Sequence, residues 1–294
     1  MKISKTDLLL NADGSIYHLN LLPGELAETI LLVGDPARAK LVSQHFDALE
    51  IQKQKREFIV HTGTIGKQRI SVIGTGIGAC NIEIVITEAD ALFNIDFSTR
   101  TAKTDLTQLR FIRLGTSGAL QKNIPVDSFL VSDYAVAFDG LLNYYQLSYN
   151  ENENRLLQAI HQHFSDFSML PLPYVAQASD ALHSLFNDTT CHHGITLTAN
   201  GFYGPQYRHI RLPLIANNVI DCAREFQHNG MLITNFEMET AAIFGLSTLM
   251  GHQCCSLNTI VANRFTDTVS RDPAKTIQTM IEMGLEKLTQ YILQ

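Results

Sequence analysis

Asn235-Phe236-Glu237-Met238-Glu239-Thr240, preceded by Leu232-Ile233-Thr234 and followed by Ala241-Ala242-Ile243-Phe244-Gly245-Leu246, reads as a buried strand running into a helix, with two carboxylates and a methionine at the junction. In an open α/β sheet, ligands bind outside the carboxyl ends of the strands. A plainer reading stands beside that one: acidic residues in the first turn of a helix complement its dipole. The remainder of the chain decides between them.

Working outward, the same alternation recurs. Thr29-Ile30-Leu31-Leu32-Val33 is a short buried strand that ends in Gly34-Asp35-Pro36-Ala37-Arg38. Pro36 suits a first helical position, so this turn offers backbone N–H groups and Arg38 to an anion, or is an ordinary helix start with a surface arginine. Glu57 to Thr62 and Gln68 to Ile73 flank Gly66-Lys67 as a hairpin, and the second strand enters Gly74-Thr75-Gly76-Ile77-Gly78. That turn falls one residue short of the dinucleotide fingerprint GxGxxG, so an NAD-dependent oxidoreductase is a poor fit. A helix follows over Asn81 to Phe93, and the polar segment Asn94 to Gln108 reads as an exposed loop.

Arg110-Phe111-Ile112-Arg113-Leu114 is a strand ending in Gly115-Thr116-Ser117-Gly118. An arginine in an apolar strand must be paired, either with a bound anion or with a carboxylate of the protein. Ser128 to Ser132 is a further strand, Asp139-Gly140 a turn, and Glu151 to Phe164 a helix. His192 to Thr198 continues the sheet into the loop Gly201-Phe202-Tyr203-Gly204-Pro205-Gln206-Tyr207-Arg208. Rings, an amide and a guanidinium suit a planar heterocycle, by stacking on its face and hydrogen-bonding its edge, though a loop merely exposed to solvent also carries such residues. Cys254 to Ala262 is a near-continuous apolar strand leading to Asn263-Arg264, and a helix over Asp272 to Ile292 closes the chain. Alternating strands and helices without a composition break give one α/β domain over residues 1–294, with a mixed central sheet flanked by helices.

Composition narrows the function classes. Hydrophobic residues make up 45% and charged residues 17% of the 294 positions, as in a folded globular chain. A net charge of -7 argues against neutralising a nucleic-acid backbone. Five cysteines without CxxC spacing suggest reduced thiols in the cytoplasm, and no apolar run suggests a signal peptide or a membrane span. His192-His193 lacks metal-ligand spacing and no HExxH occurs, so no metal is expected.

In this order the motifs resemble those of the nucleoside phosphorylases, and within them the uridine phosphorylases. The resemblance rests on Gly34 to Arg38, Arg56-Glu57-Phe58, Gly74 to Gly78, Arg113 to Gly118, Phe202 with Gln206 and Arg208, Phe236 to Glu239, and Asn263-Arg264. It implies that Gly34, Arg38, Arg113 and Thr116 hold phosphate, with Arg56 joining from a neighbouring subunit across a dimer contact. Met238 and Glu239 hold the ribose, and the partner's His18 meets its 5′-hydroxyl. Phe202 packs against the base, Gln206 and Arg208 read its edge, and Arg264 supports that region; Arg38, Arg113, Glu239 and Arg264 form the expected catalytic set. The resemblance further implies inorganic phosphate as a co-substrate, no cofactor, and a homo-oligomer, a hexamer built from dimers.

Purine-cleaving relatives usually carry an aspartate where Asn263-Arg264 stands, and an asparagine cannot act as a general acid. Uridine is therefore the expected substrate. A purine nucleoside phosphorylase, a hydrolytic nucleosidase and a non-catalytic nucleoside-binding protein are the alternatives. The chain departs from the family pattern at Ala79-Cys80-Asn81, where many relatives have Gly-Pro-Ser, in the order Gly204-Pro205, and after Arg208.

Overall fold

The structure, a computed structural model, describes residues 2–187, 189–216 and 218–292. The chain begins with β1 (Thr29–Val33), α1 (Pro36–Ser43), β2 (Ala48–Lys55), β3 (Phe58–Ile65), β4 (Gln68–Gly74) and α2 (Ala79–Asn94). A small hairpin, β5 (Ile95–Asp96) with β6 (Thr101–Ala102), precedes β7 (Arg110–Ala119) and β8 (Phe129–Ala137). Next come α3 (Glu151–His163), β9 (Tyr174–Gln177), α4 (Asp180–His183), β10 (Cys191–Thr198), α5 (Val219–Glu225) and β11 (Gln227–His228). β12 (Met231–Glu237), α6 (Thr240–Leu249), β13 (Gln253–Asn263), β14 (Thr268–Val269) and α7 (Pro273–Ile292) complete it.

One sheet runs in the order β11-β12-β10-β8-β13-β7-β1-β4-β3-β2, with β9 added to β8 and β14 to β13. It is mixed: β1 lies parallel to β4 and β7, whereas β13 is parallel to β7 and antiparallel to β8. β12 also pairs with β7, setting Asn235 opposite Ala119 and Phe236 opposite Gly118. Strands β12, β10, β8, β13 and β7 therefore close on themselves, which brings the ends of β7 and β12 together.

The alternation of side chains along β1 shows why its apolar run is central. Ile30 and Leu32 pack on one face with α2 and α6, while Leu31 and Val33 pack on the other with α1 and α7. A strand covered on both faces needs apolar residues at every position, unlike an edge strand with one face in water. β2, on the edge, alternates exposed and half-buried residues and carries Lys53 and Lys55. Its polar sequence hides it from a search for hydrophobic runs, and such charges blunt an exposed edge.

Local signals set the element ends. Asp35 caps α1 by accepting the Ala37 N–H at 2.8 Å, with Pro36 at the first helical position. Asn150 and Glu153 form a reciprocal capping box that fixes the start of α3. Two sequence expectations need correction. The segment from Asn94 to Gln108 is not a simple loop: it holds the β5–β6 hairpin, and Arg100 donates to the carbonyls of Ile3 and Ser4, tying down the amino-terminal arm. The strand at Arg110 does not stop at Leu114 but continues to Ala119, because β13 pairs with it along its whole length. No helix among the described residues is long and apolar enough to cross a membrane.

Candidate active site

A cavity of about 960 Å³ opens where β1, β7 and β12 end. At one end the turn after β1 supplies Gly34 and, from the first turn of α1, Arg38. The Arg38 guanidinium is buried and donates to the Leu114 carbonyl at 3.1 Å. Burial, followed by the nearby charge of Arg113, lowers its pKa. Two guanidiniums in a dry cleft make a place where an anion is favoured. Thr116 also lines this end.

Arg113 projects from β7 and is almost fully buried. It donates to Asn258 Oδ1 at 2.6 Å and to Glu239 Oε2 at 2.7 Å, and it lies 3.1 Å from Glu237 Oε2. Burial opposes its charge, but Glu237 and Glu239 outweigh that and hold its pKa above the usual arginine value. Gly115 makes room for it, because a Cβ there falls 1.7 Å from Arg113 Nη1. The protein's own carboxylates thus satisfy Arg113 while it faces the cavity. Asn258, a polar residue inside the apolar strand β13, carried the sequence signal for this contact.

The two glutamates of the opening stretch divide their work. Glu237 accepts the Thr198 hydroxyl at 2.6 Å and the Glu239 and Thr240 backbone N–H groups, so it holds the strand-to-helix junction together. Glu239 accepts the Gly78 N–H at 2.7 Å as well as Arg113. The glycine turn after β4 therefore meets this carboxylate: Gly76 and Gly78 take left-handed φ of 72° and 100°, which places the Gly78 N–H. Burial pushes the Glu239 carboxyl upward, and neighbouring Glu237 adds to that against the pull of Arg113. Met238 lines the wall between them.

The segment after β10 brings Phe202, Gln206 and Arg208 to the same cavity wall. The Arg208 guanidinium stands 4.3 Å over the Phe202 ring, and its buried Nε has no hydrogen-bond partner among the described residues. Gln206, the last residue of a short 3-10 turn (Gly204–Gln206), is only 2% exposed. Arg264 is not part of the cavity wall but stands behind it. It donates to the Gln206 carbonyl at 2.6 Å and the Tyr207 carbonyl at 3.3 Å, clamping the loop from behind. Burial, then Arg208 and Arg224, lowers its pKa to about 10.

His18 and Arg56 also lie outside this chain's cavity wall. His18 Nδ1 is 2.6 Å from Glu88, whose carboxylate also accepts the His18 and Leu19 backbone N–H groups. Exposed Arg56 occupies the β2–β3 turn with φ 53° and lies 5.5 Å from the Tyr17 ring centroid. Tyr17 meets His18 edge-on at 4.8 Å, so both residues belong to one surface region around Tyr17.

The sequence pattern of the phosphorylase superfamily matches residues 28–294. The chain belongs to that superfamily. A uridine phosphorylase of Thermococcus kodakarensis is 29% identical over 259 residues, 87% of this chain and 80% of that protein. A DeoD-type purine nucleoside phosphorylase of Streptococcus suis is 27% identical, over 92% of this chain and 98% of its own. Among solved structures, a Trypanosoma brucei nucleoside phosphorylase described as showing uridine phosphorylase activity superposes with a TM-score of 0.86 at 26% identity, covering 97% of this chain and all of that one. Similarity extends to uridine- and purine-directed members alike, so the superfamily assignment leaves the base open.

Proposed function

We propose that this chain cleaves uridine with phosphate, giving uracil and ribose 1-phosphate. The observation that supports the choice of base is the pairing of nearly buried Gln206 with Arg208 in the cavity wall. Uracil presents two carbonyl acceptors and one N–H. A glutamine oxygen accepts that N–H, while its amide hydrogens and the Arg208 N–H groups donate to the carbonyls. Asn263 supports the same choice: its Nδ2 donates to the carbonyls of Gln121 and Ile124, and its Oδ1 accepts the Phe265 and Thr266 N–H groups. Both polar ends of the Asn263 side chain are thus committed to the fold, and neither serves a purine N7.

In the reaction a phosphate oxygen forms a bond to the anomeric carbon as the glycosidic bond breaks, and the bonding pair leaves on the base. Arg38, Arg113 and Thr116, with the Gly34 backbone, hold the phosphate, and the partner's Arg56 completes the set. Met238 and Glu239 grip the ribose, Glu239 accepting its hydroxyls, while the partner's His18 meets the 5′-hydroxyl. Arg208 stabilises the negative charge that grows on uracil. Catalysis of this kind works through positioning and electrostatics and requires no cofactor.

A nucleoside panel with and without phosphate tests the proposal. Uridine turnover must depend on phosphate and exceed that of inosine and adenosine. Preference for a purine nucleoside reassigns the base, and phosphate-independent cleavage makes the enzyme a hydrolase. Gln206→Ala should lower kcat/KM for uridine by about 10²-fold, the loss associated with two well-made hydrogen bonds in a dry site; an unchanged value removes Gln206 from base recognition.

A further inference from the structure

His192-His193 carries no metal-binding spacing in the sequence, yet the fold sets one of the pair against residues distant in the chain. Asp133 lies in β8, His183 ends α4, and His193 lies in β10. Asp133 Oδ1 is 2.6 Å from His183 Nε2 and 3.0 Å from His193 Nδ1. The two imidazole rings are 5.2 Å apart between centroids, and the three donor atoms all lie within 4.8 Å of one another. Each side chain is roughly a quarter exposed, so solvent reaches the cluster.

We propose that Asp133, His183 and His193 form a binding site for a divalent transition-metal ion, best matched to zinc, which fastens the short helix α4 to strands β8 and β10.

Two imidazole nitrogens and one carboxylate oxygen are a donor set that zinc accepts, with a water molecule free to fill the fourth position. Magnesium and calcium prefer all-oxygen surroundings and are poorly served by two nitrogens. A tetrahedral ion with bonds of about 2.0–2.2 Å spreads its donors to roughly 3.4 Å. The two contacts to Asp133 therefore need to open by less than about 1 Å each. Side-chain rotation supplies such movement more readily at partly exposed positions than in a packed core.

The site is separate from the nucleoside cavity, whose wall includes none of the three residues. Thr198 of β10 sits opposite Glu237, and His193 precedes it by five residues, about 16 Å along the strand. The ion therefore acts on stability rather than on the chemical step. α4 spans only four residues, Asp180–His183, so a cross-link to two strands restrains an element with little length of its own.

Full-length protein freed of metal with a chelator, titrated with zinc in phosphate-free buffer by calorimetry, should take up one ion per chain. Its melting temperature should rise by several degrees at a hundredfold excess over Kd, with nucleoside turnover unchanged. Magnesium should produce no shift. His183→Gln and His193→Gln should each lose at least tenfold in zinc affinity and most of the thermal shift. Cys80→Ser, which removes an exposed thiol, should lose neither. X-ray absorption at the zinc edge on the unmodified protein, which is independent of variant folding, should show nitrogen and oxygen ligands including two imidazoles. Sub-stoichiometric uptake, sulfur in the zinc shell, or zinc binding that survives both histidine substitutions overturns the proposal.

Discussion

Gly115→Ala isolates the steric demand behind the buried arginine. Gly115 lies within β7, and neither it nor Gly118 adopts a left-handed φ, so its lack of a side chain serves space rather than backbone freedom. An alanine Cβ falls 1.7 Å from Arg113 Nη1 and 2.2 Å from its Cζ. The guanidinium must move by more than about 1 Å to restore ordinary contact, which breaks its 2.6 Å bond to Asn258 and its 2.7 Å bond to Glu239. Disrupting a buried, hydrogen-bonded ion pair costs about 3–5 kcal/mol, because the charges stay buried without their partners. The part of that loss felt in the transition state lowers the rate tenfold for each 1.36 kcal/mol, so a fall of about 10²-fold or more in kcat/KM for phosphate is expected. Gly118→Ala is the internal control: its Cβ comes no closer than 3.8 Å to Arg264 or the Ala262 carbonyl, so it should stay within about 1 kcal/mol of the parent. Urea unfolding and initial rates over a range of phosphate concentrations measure both effects. A Gly115→Ala protein with the parent's unfolding midpoint and phosphate dependence refutes the reasoning.

Asn263→Asp should destabilise the fold by about 3 kcal/mol or more without conferring purine cleavage, since a carboxylate cannot donate to the Gln121 and Ile124 carbonyls; denaturant unfolding and an inosine assay check both parts. Arg264→Met should raise the KM for nucleoside about tenfold while leaving the KM for phosphate within about twofold, because it frees the Gln206–Tyr207 backbone and not the anion end. Burial raises the Glu239 carboxyl above its usual 4.5, so the acid limb of kcat/KM should lie above pH 4.5, where the clamp ionises and activity climbs. Stability moves the other way: the folded state holds this proton more tightly than the unfolded one, so the group's contribution to stability is full below 4.5 and is lost as pH rises through the folded value. Opposite slopes of activity and unfolding free energy in that window, the latter removed by Glu239→Gln, are the expected result, and an acid limb at or below 4.5 contradicts it.

What the sequence disclosed follows from how local each signal is. The apolar run Thr29–Val33 with Gly34 and Pro36 announced a central strand and a helix start, because burial on both faces and a fixed proline φ are local demands. The carboxyl-terminal helix was legible to within a residue for the same reason. Gly34, Arg38, Arg113, Thr116, Phe202, Gln206, Arg208, Met238 and Glu239 were named from motif order, and all of them line one cavity. The edge strand β2 escaped, since one wet face removes the apolar run that marks a strand. Asn258 beneath Arg113 and the meeting of Asp133, His183 and His193 also escaped. Each depends on which strands lie side by side, and that order, β10-β8-β13-β7, is not the order of the chain.

The charges of the buried groups in the cavity bear on the proposal that the site is shared between two chains. Arg38 and Arg113 bring two formal positive charges, Glu237 and Glu239 two negative ones, and all four are buried. The formal charges of these four buried groups cancel, and a phosphate carrying close to two negative charges at neutral pH competes with Glu239 for Arg113. Bringing an uncompensated anion into a dry cleft is costly unless further positive charge accompanies it. Within this chain, Arg208 is turned toward the base end, over Phe202, and Arg264 is spent on backbone carbonyls. Arg56 is exposed, lies outside its own chain's cavity wall, and donates to the Tyr17 hydroxyl at 3.4 Å. In the proposed shared site, the partner's Arg56 adds positive charge beside the phosphate, and Glu239, released from Arg113, takes the ribose hydroxyls. On that proposal, phosphate binding and sugar binding favour each other through a single exchange of partners on Arg113.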